Sequence, residues 1–74
     1  MFEGFNLGDS VSILYAKNDE PSKVYQGQVI DKRKTAKGYN ILTLQQTVCV
    51  DGHYVDKYNT FREDRTQYIT SSLV

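Results

Sequence analysis

The amino-acid sequence predicts an all-β domain, folded as a small barrel of five or six strands. No window of the sequence carries a convincing apolar stripe at helical period. Valine, isoleucine and tyrosine cluster instead in short segments, and residues that favour turns separate these segments. The 74 residues are enough for one domain. Closing its short sheet into a barrel would remove the exposed strand edges that promote aggregation.

Residues 1–9 are predicted to form an N-terminal arm or a short helix, and residues 10–74 form the barrel domain. We expect Phe2 and Phe5 of the arm to pack against the strands and close one end. The opening MFEGFNLGDS lacks the basic region and apolar run of a signal peptide. No apolar stretch is long enough to span a membrane. We therefore expect a cytoplasmic protein without a membrane partner.

The first two predicted strands flank a polar loop. In DSVSILYA, three residues alternate onto one face: Val11, Ile13 and Tyr15. The loop KNDEPS contains the only proline, which cannot donate to a strand ladder and so marks a break. The second strand, KVYQGQVIDKR, is interrupted by Gly27, which predicts a bulge or a sharp bend at that position.

The third predicted strand follows a tight turn at KTAKG. In YNILTLQ, Tyr39, Ile41 and Thr43 share one face. This segment is the most apolar of the chain, and we therefore expect it to lie centrally in the sheet.

The C-terminal half predicts a hairpin and one or two closing strands. Asp51 and Gly52 form the two-residue pair that type I′ hairpin turns prefer. The segments KYNTFRED and RTQYITSS then meet at a corner, Glu63–Asp64. The early order is a strand, a polar loop, a long bent strand, a tight turn and an apolar strand. That is the order of SH3-like and Sm-like barrels.

Composition excludes several classes of function. Nine basic side chains balance nine acidic ones, so no global field attracts nucleic acid or an anionic membrane. Cys49 is the only cysteine, which rules out an intrachain disulfide and weakly favours a reducing compartment. Cys49 and His53 alone cannot form a structural zinc site. No acid–base or nucleophilic motif is present, so we predict no enzyme and no cofactor.

The sequence also resembles the WYL domain, an SH3-like or Sm-like barrel, over residues 11–69. The resemblance lies in VSILYAKN, VYQGQVIDKRKTAKGYNILTL and YNTFREDR. The family signature of its central strand is degenerate here, because YNI stands where Trp-Tyr-Leu would. The closing segment of the family reads approximately Arg-Thr-Phe-Arg-x-Asp-Arg-Ile, and five positions match it: Thr60, Phe61, Arg62, Asp64 and Arg65.

The resemblance implies a regulatory module. WYL domains usually follow a DNA-binding helix-turn-helix in bacterial transcription regulators, where they are taken to sense nucleic acid or nucleotide-like ligands. This chain has no room for a helix-turn-helix, so it would be a free-standing version. Its size is consistent with a phage or mobile-element protein that acts on a host partner.

Four basic residues are predicted to crowd the tip of the hairpin between the second and third strands. Lysines on a flexible tip could contact phosphate groups and position a nucleic acid. Alternatively, they form a solvated turn that keeps a sheet edge soluble. The four residues are Lys32, Arg33, Lys34 and Lys37.

Two arginines and the tyrosines complete the candidate site. Arg62 and Arg65 could bind phosphate if a bend at the corner brings them together, or the neighbouring acids could pair with them and fix the corner. Tyr39 could stack on a base. The other tyrosines that we expect to be exposed are Tyr25, Tyr54 and Tyr58; tyrosines in an all-β chain can equally be half-buried strand residues.

Two hypotheses follow for the function. The first is a non-enzymatic binding module that contacts nucleic acid or a nucleotide through the basic tip and the two arginines. The second is a protein-interaction module, which uses a sheet edge or an apolar patch to bind a host or transcription-related partner, or pairs with itself as a homo-oligomer. Clustering of the basic residues on one face would favour the first, and interspersed acids would favour the second.

Overall fold

A computed structural model of the chain describes residues 1–72. It contains five strands: β1 (Ser10–Tyr15), β2 (Lys23–Lys34), β3 (Asn40–Val50), β4 (His53–Arg62) and β5 (Thr66–Ser71). Two single-turn 3-10 helices, Phe2–Gly4 and Glu63–Arg65, precede β1 and join β4 to β5. No helix in the described part of the chain is long and apolar enough to cross a membrane.

All five strands form one antiparallel sheet in the order β4-β3-β2-β1-β5. The all-β class is therefore confirmed, with five strands. Within residues 1–72 no ladder joins β4 to β5, so the hydrogen-bonded sheet itself is not closed.

The core is a single cluster of apolar side chains on one face of the curved sheet. The predicted alternation in β1 is confirmed, because Val11, Ile13 and Tyr15 are all buried. The ring of Tyr15 meets the ring of Phe61 edge-on, with 5.1 Å between their centroids. The complete buried cluster comprises Phe2, Val11, Ile13, Tyr15, Val29, Leu42, Leu44 and Phe61.

Strand β2 is the middle of the sheet because it is long enough to pair with two neighbours in succession. It pairs with β1 through Gln28 and with β3 from Gln28 onward. The predicted irregularity is displaced from Gly27, since the register shift falls between Val29 and Asp31. Gly27 has another role: a Cβ atom there would lie 2.6 Å from the carbonyl oxygen of Gln45, so only glycine permits this crossing.

Strand β3 differs from its prediction in one respect. It is an interior strand but not the central one, since β2 lies in the middle of the order β4-β3-β2-β1-β5. Its core face is built by Leu42 and Leu44, which are fully buried, while Ile41 and Thr43 are only half-buried. Tyr39 precedes the strand and is exposed.

The hairpin at Asp51–Gly52 is confirmed. Asp51 has a φ of 50° and Gly52 a φ of 79°, which is the left-handed backbone that a type I′ turn requires. The two strands stay paired from Val50 opposite His53 to Ile41 opposite Arg62. The outer part of this hairpin, residues 46–57, extends past the end of the β2–β3 ladder, and we call it the ribbon.

The N-terminal residues are attached to the sheet by packing and by hydrogen bonds. Phe2 is buried in the core and Phe5 packs against it, as expected from the sequence. The Lys32 ammonium donates to the carbonyl of Phe5 at 2.5 Å. Backbone hydrogen bonds link Gly8 and Asp9 to Val29 at 2.7 and 2.9 Å.

Candidate nucleic-acid interface

The turn between β2 and β3 has five residues, as many as the tight turn expected at KTAKG, but it lies one residue later in the chain. Strand β2 continues to Lys34, so three of the four basic residues of the predicted tip lie in the ladder. Residues 35–39 make the turn, which closes with a hydrogen bond from the Thr35 amide to the Tyr39 carbonyl at 2.8 Å. The Tyr39 amide donates to the Thr35 hydroxyl oxygen at 3.0 Å. Only Lys37 stands on the turn itself.

Lys32 and Arg33 line one depression, together with Phe2 and Asn40, but their charged groups have different partners. Lys32 turns towards the N-terminal residues and bonds to Phe5. Arg33 donates from Nε to the carboxylate of Asp31 at 2.7 Å. Lys34 and Lys37 are exposed, and neither makes an ion pair within residues 1–72. These two lysines are therefore the members of the group that remain available to a ligand.

Arg62 joins the end of β4 to the β2–β3 turn. Its guanidinium carbon lies 3.9 Å from the centroid of the Tyr39 ring. The same guanidinium forms a fork with Asp64, through Nε to Oδ1 at 3.0 Å and Nη2 to Oδ2 at 2.7 Å. Hydrogen bonding to Asp64 raises the pKa of Arg62, and hydrogen bonding to Arg62 lowers the pKa of Asp64. Arg62 thus has the local acidic partner that the alternative interpretation of the sequence anticipated.

Arg65 has different contacts from Arg62. It is exposed and lines a depression of ≈ 360 Å³, whose other lining residues are Tyr15, Lys17, Asn18, Glu20 and Thr60. Arg65 therefore shares neither the Tyr39 stack nor the Asp64 fork of Arg62, although its charge contributes to the lowered pKa of Asp64.

Sequence reasoning missed the role of Glu63. Its carboxylate accepts the Phe2 amide at 2.6 Å and the Asn40 side-chain amide at 3.1 Å, and the Met1 amino group lies 3.7 Å away. The backbone hydrogen bond from Phe2 is the main reason why the pKa of Glu63 is lowered. A contact across 61 residues has no local pattern that could announce it.

The tyrosines divide into exposed and packed members. Tyr54, Tyr58 and Tyr39 keep 82%, 59% and 39% of their surface exposed. The prediction that Tyr25 is exposed is wrong, since its ring lies 5.2 Å from that of Phe61 and packs against the core. Tyr25 faces inward because it shares its strand face with Val29.

Among residues 1–72, no group of three or more histidine, cysteine, aspartate or glutamate side chains is placed so that it could hold a metal ion. Comparison with protein-family models, with curated proteins and with solved structures finds no significant match to this chain. The fold itself defines the class: a small all-β protein with five antiparallel strands in one sheet.

Proposed function

We propose that this protein is a non-enzymatic, regulatory binding module for single-stranded nucleic acid or a nucleotide-like ligand. The observation that carries the proposal is the stack of Arg62 on Tyr39, which joins the lysine-bearing β2–β3 turn to the corner after β4. Lys34 and Lys37 would contact phosphate groups, and Tyr39 would offer its exposed ring surface to a base.

Asp31 and Asp64 lie among the basic residues of this surface, an arrangement that also favours the protein-interaction hypothesis, and they decide which basic residues are free to bind phosphate. Asp31 and Asp64 each occupy an arginine, and this weakens the attraction of Arg33 and Arg62 for phosphate. Lys34 and Lys37 would therefore make the phosphate contacts, and Arg62 would orient the ring of Tyr39. Lys32 and Arg65, which the sequence predicted to bind nucleic acid, do not belong to the proposed surface.

Fluorescence anisotropy of labelled single-stranded and duplex oligonucleotides, at low and at physiological salt, tests the proposal. Single-strand binding should weaken with salt, and Lys34→Ala/Lys37→Ala should reduce the slope of log affinity against log salt by about 1.4. Lys23→Ala/Lys57→Ala is the matched control, because it removes the same charge from exposed positions outside the surface. Equal losses in both double variants, or no binding at low salt, would contradict the proposal.

We also propose that the sheet belongs to the SH3-like or Sm-like barrel class, as a free-standing relative of WYL domains. The strand order, the change of neighbour along β2 and the single 3-10 turn between β4 and β5 support the barrel class. The closing segment from Thr60 to Arg65 is what supports the WYL relationship. Nuclear Overhauser contacts between the rings of Tyr15 on β1 and Phe61 on β4, two strands that are not neighbours in the sheet, would support a barrel-like curl, and their absence would count against it. A cytoplasmic location and a phage or mobile-element source remain part of the same proposal.

A further inference from the structure

The inner edge of the ribbon is an unpaired strand edge. The β2–β3 ladder ends at Gln28 opposite Gln45, because β2 then turns away to pair with β1. Strand β3 continues for five more residues, Gln46–Val50, which pair only with β4 in the part of the chain that the structure describes. Backbone groups on the side that β2 has left are therefore free to bond to another strand.

This edge lacks the features that usually protect one. Proteins discourage pairing at exposed edges with charged side chains, proline or bulges. The sequence of the inner edge, QTVCV, contains no charge and no proline, and its ladder with β4 is regular. The opposite strand of the ribbon is different, since it carries Asp56 and Lys57. Because β4 carries charged residues and the inner edge on β3 carries none, the inner edge is the side of the ribbon that can accept another strand.

A groove of ≈ 670 Å³ runs beside the inner edge. Its walls come from the start of β1, the crossing of β2 at Gly27 and the first residues of the ribbon. In a chain that is 24% charged, none of the residues that line the groove carries a charge. The lining consists of Ser10, Gln26, Gly27, Gln28, Gln45, Gln46, Thr47 and Val48. Such a surface complements an uncharged polypeptide backbone, not phosphate or an acidic segment.

The ribbon also exposes apolar surface. Val50 and Val55 keep 45% and 43% of their surface exposed, and Val55 lies directly opposite Val48. A two-stranded hairpin by itself is at best marginally stable in water. An added strand would make the ribbon three-stranded, and its side chains would pack beside Val48 and Val50 of β3.

We propose that the inner edge of the ribbon is a docking site for an extended, uncharged segment of a partner protein, which adds to the sheet beside β3. The segment would alternate apolar and neutral polar residues, so that its apolar side chains lie beside Val48 and Val50. A stable interface between globular copies takes about 20–30 residues from each side. The eight residues of the groove lining are too few for that and suit a short linear segment.

The site lies at the opposite end of β3 from the proposed nucleic-acid surface, so the proposal goes beyond that function and does not depend on it. Selection of ten-residue peptides from a fully randomised display library against the whole protein tests it. The enriched peptides should alternate apolar and uncharged polar residues and should lack proline. With the best peptide at about 100 times its Kd, amide exchange within residues 46–50 should slow by up to about 100-fold.

Substitutions then locate the binding. Val48→Asp should weaken the selected peptide at least about tenfold, because a charge would be buried in the neutral groove. Val24→Asp is the matched control: Val24 is an exposed valine outside the groove lining, and its substitution should leave the affinity unchanged. If the Val48→Asp variant does not fold, the Val50→Asp variant is tested in its place, because Val50 lies near the tip of the ribbon and is already 45% exposed.

Three results would overturn the proposal. The first is a library that yields no enrichment, or only charged or proline-rich peptides. The second is protection of amides elsewhere in the chain without protection of residues 46–50, or equal weakening by both valine substitutions. The third is protection of residues 46–50 that rises with protein concentration in the absence of peptide, which would show that a second copy occupies the edge.

Discussion

The guanidinium of Arg62 lies against the ring of Tyr39, with 3.9 Å from the guanidinium carbon to the ring centroid. One residue ends β4 and the other ends the β2–β3 turn, so the contact couples two loops that are distant in sequence. The contact also positions the ring while 39% of the Tyr39 surface stays exposed. A flat aromatic surface beside two exposed lysines is the geometry from which the proposed function derives.

Replacing Tyr39 should separate stacking from charge. Tyr39→Ala should weaken binding of a single-stranded oligonucleotide by about 1–3 kcal/mol, because a base loses its stacking partner. Tyr39→Phe should bind nearly as well as the natural protein, since the ring remains. Neither variant should change the salt dependence, because neither removes a cation. Anisotropy titrations at several salt concentrations measure both quantities, and a large loss in Tyr39→Phe would show that the ring does not act by stacking.

The pH dependence of stability should reflect Glu63. The pKa of Glu63 is lowered in the folded protein from its ordinary value of about 4.5. The contribution of the ionised carboxylate to stability is therefore fully present at a pH above that ordinary value, and it is lost as the pH falls through the pKa of the folded state. Glu63→Gln should therefore destabilise the protein at pH 7 and flatten the loss of stability in acid. Denaturant unfolding between pH 2 and pH 7, at intervals of about one unit, measures the effect.

Glu20→Gln is the control for this experiment. Glu20 is exposed, and its side chain makes no hydrogen bond or ion pair among the described residues. The substitution should change the acid limb of the stability curve very little. If both variants behave alike, the contacts of Glu63 with the N-terminal residues do not contribute to stability.

Gly27 should not tolerate a side chain. In Gly27→Ala the new methyl group would lie 2.6 Å from the backbone oxygen of Gln45, and backbone cannot move aside as a flexible side chain can. We expect a loss of about 1–3 kcal/mol in the free energy of unfolding. Gly4→Ala is the matched control, because its new methyl group would have nothing within 4 Å. Urea denaturation of the two variants should therefore give clearly separate midpoints, and coincident midpoints would refute the close crossing of β2 over β3.

Phe61 should be the most sensitive aromatic residue of the chain. It is fully buried and contacts the rings of Tyr15 and Tyr25. Phe61→Ala should cost about 3–5 kcal/mol, which approaches the whole stability of a domain of this size. Tyr58→Ala, three residues earlier on the same strand, should stay within about 0.5 kcal/mol, because Tyr58 is 59% exposed. Thermal unfolding followed by circular dichroism separates the two outcomes, and similar midpoints would place Phe61 outside the core.

Local signals in the sequence predicted the elements that depend on local chemistry. The alternation in β1 and the hairpin at Asp51–Gly52 needed only side-chain period and turn preference, and both are confirmed. The all-β class could be predicted from the short segments of strand-forming residues and the turn residues that separate them. The predicted packing of Phe2 and Phe5 against the strands is also confirmed, because large apolar side chains gain free energy when they leave water.

Features that depend on tertiary contacts could not be predicted in the same way. The sequence does not select the inward face of β3, because apolar residues occupy both of its faces, and only packing in the core selects Leu42 and Leu44. Closeness in sequence predicts all four basic residues at the hairpin tip, whereas β2 continues through Lys34 and leaves only Lys37 on the turn. The attachment of the N-terminal residues by Glu63 spans almost the entire chain, and no sequence window contains both partners.

The pairing of β1 with β5 has a consequence for how the chain acquires its structure. Ser12 lies opposite Thr70, so one of the earliest strands obtains its second neighbour from the last strand. Contacts between residues so far apart close a long loop late, which slows folding and raises the entropic barrier. Until β5 has formed, β1 has β2 as its only neighbour within residues 1–72, and its other edge stays exposed to solvent.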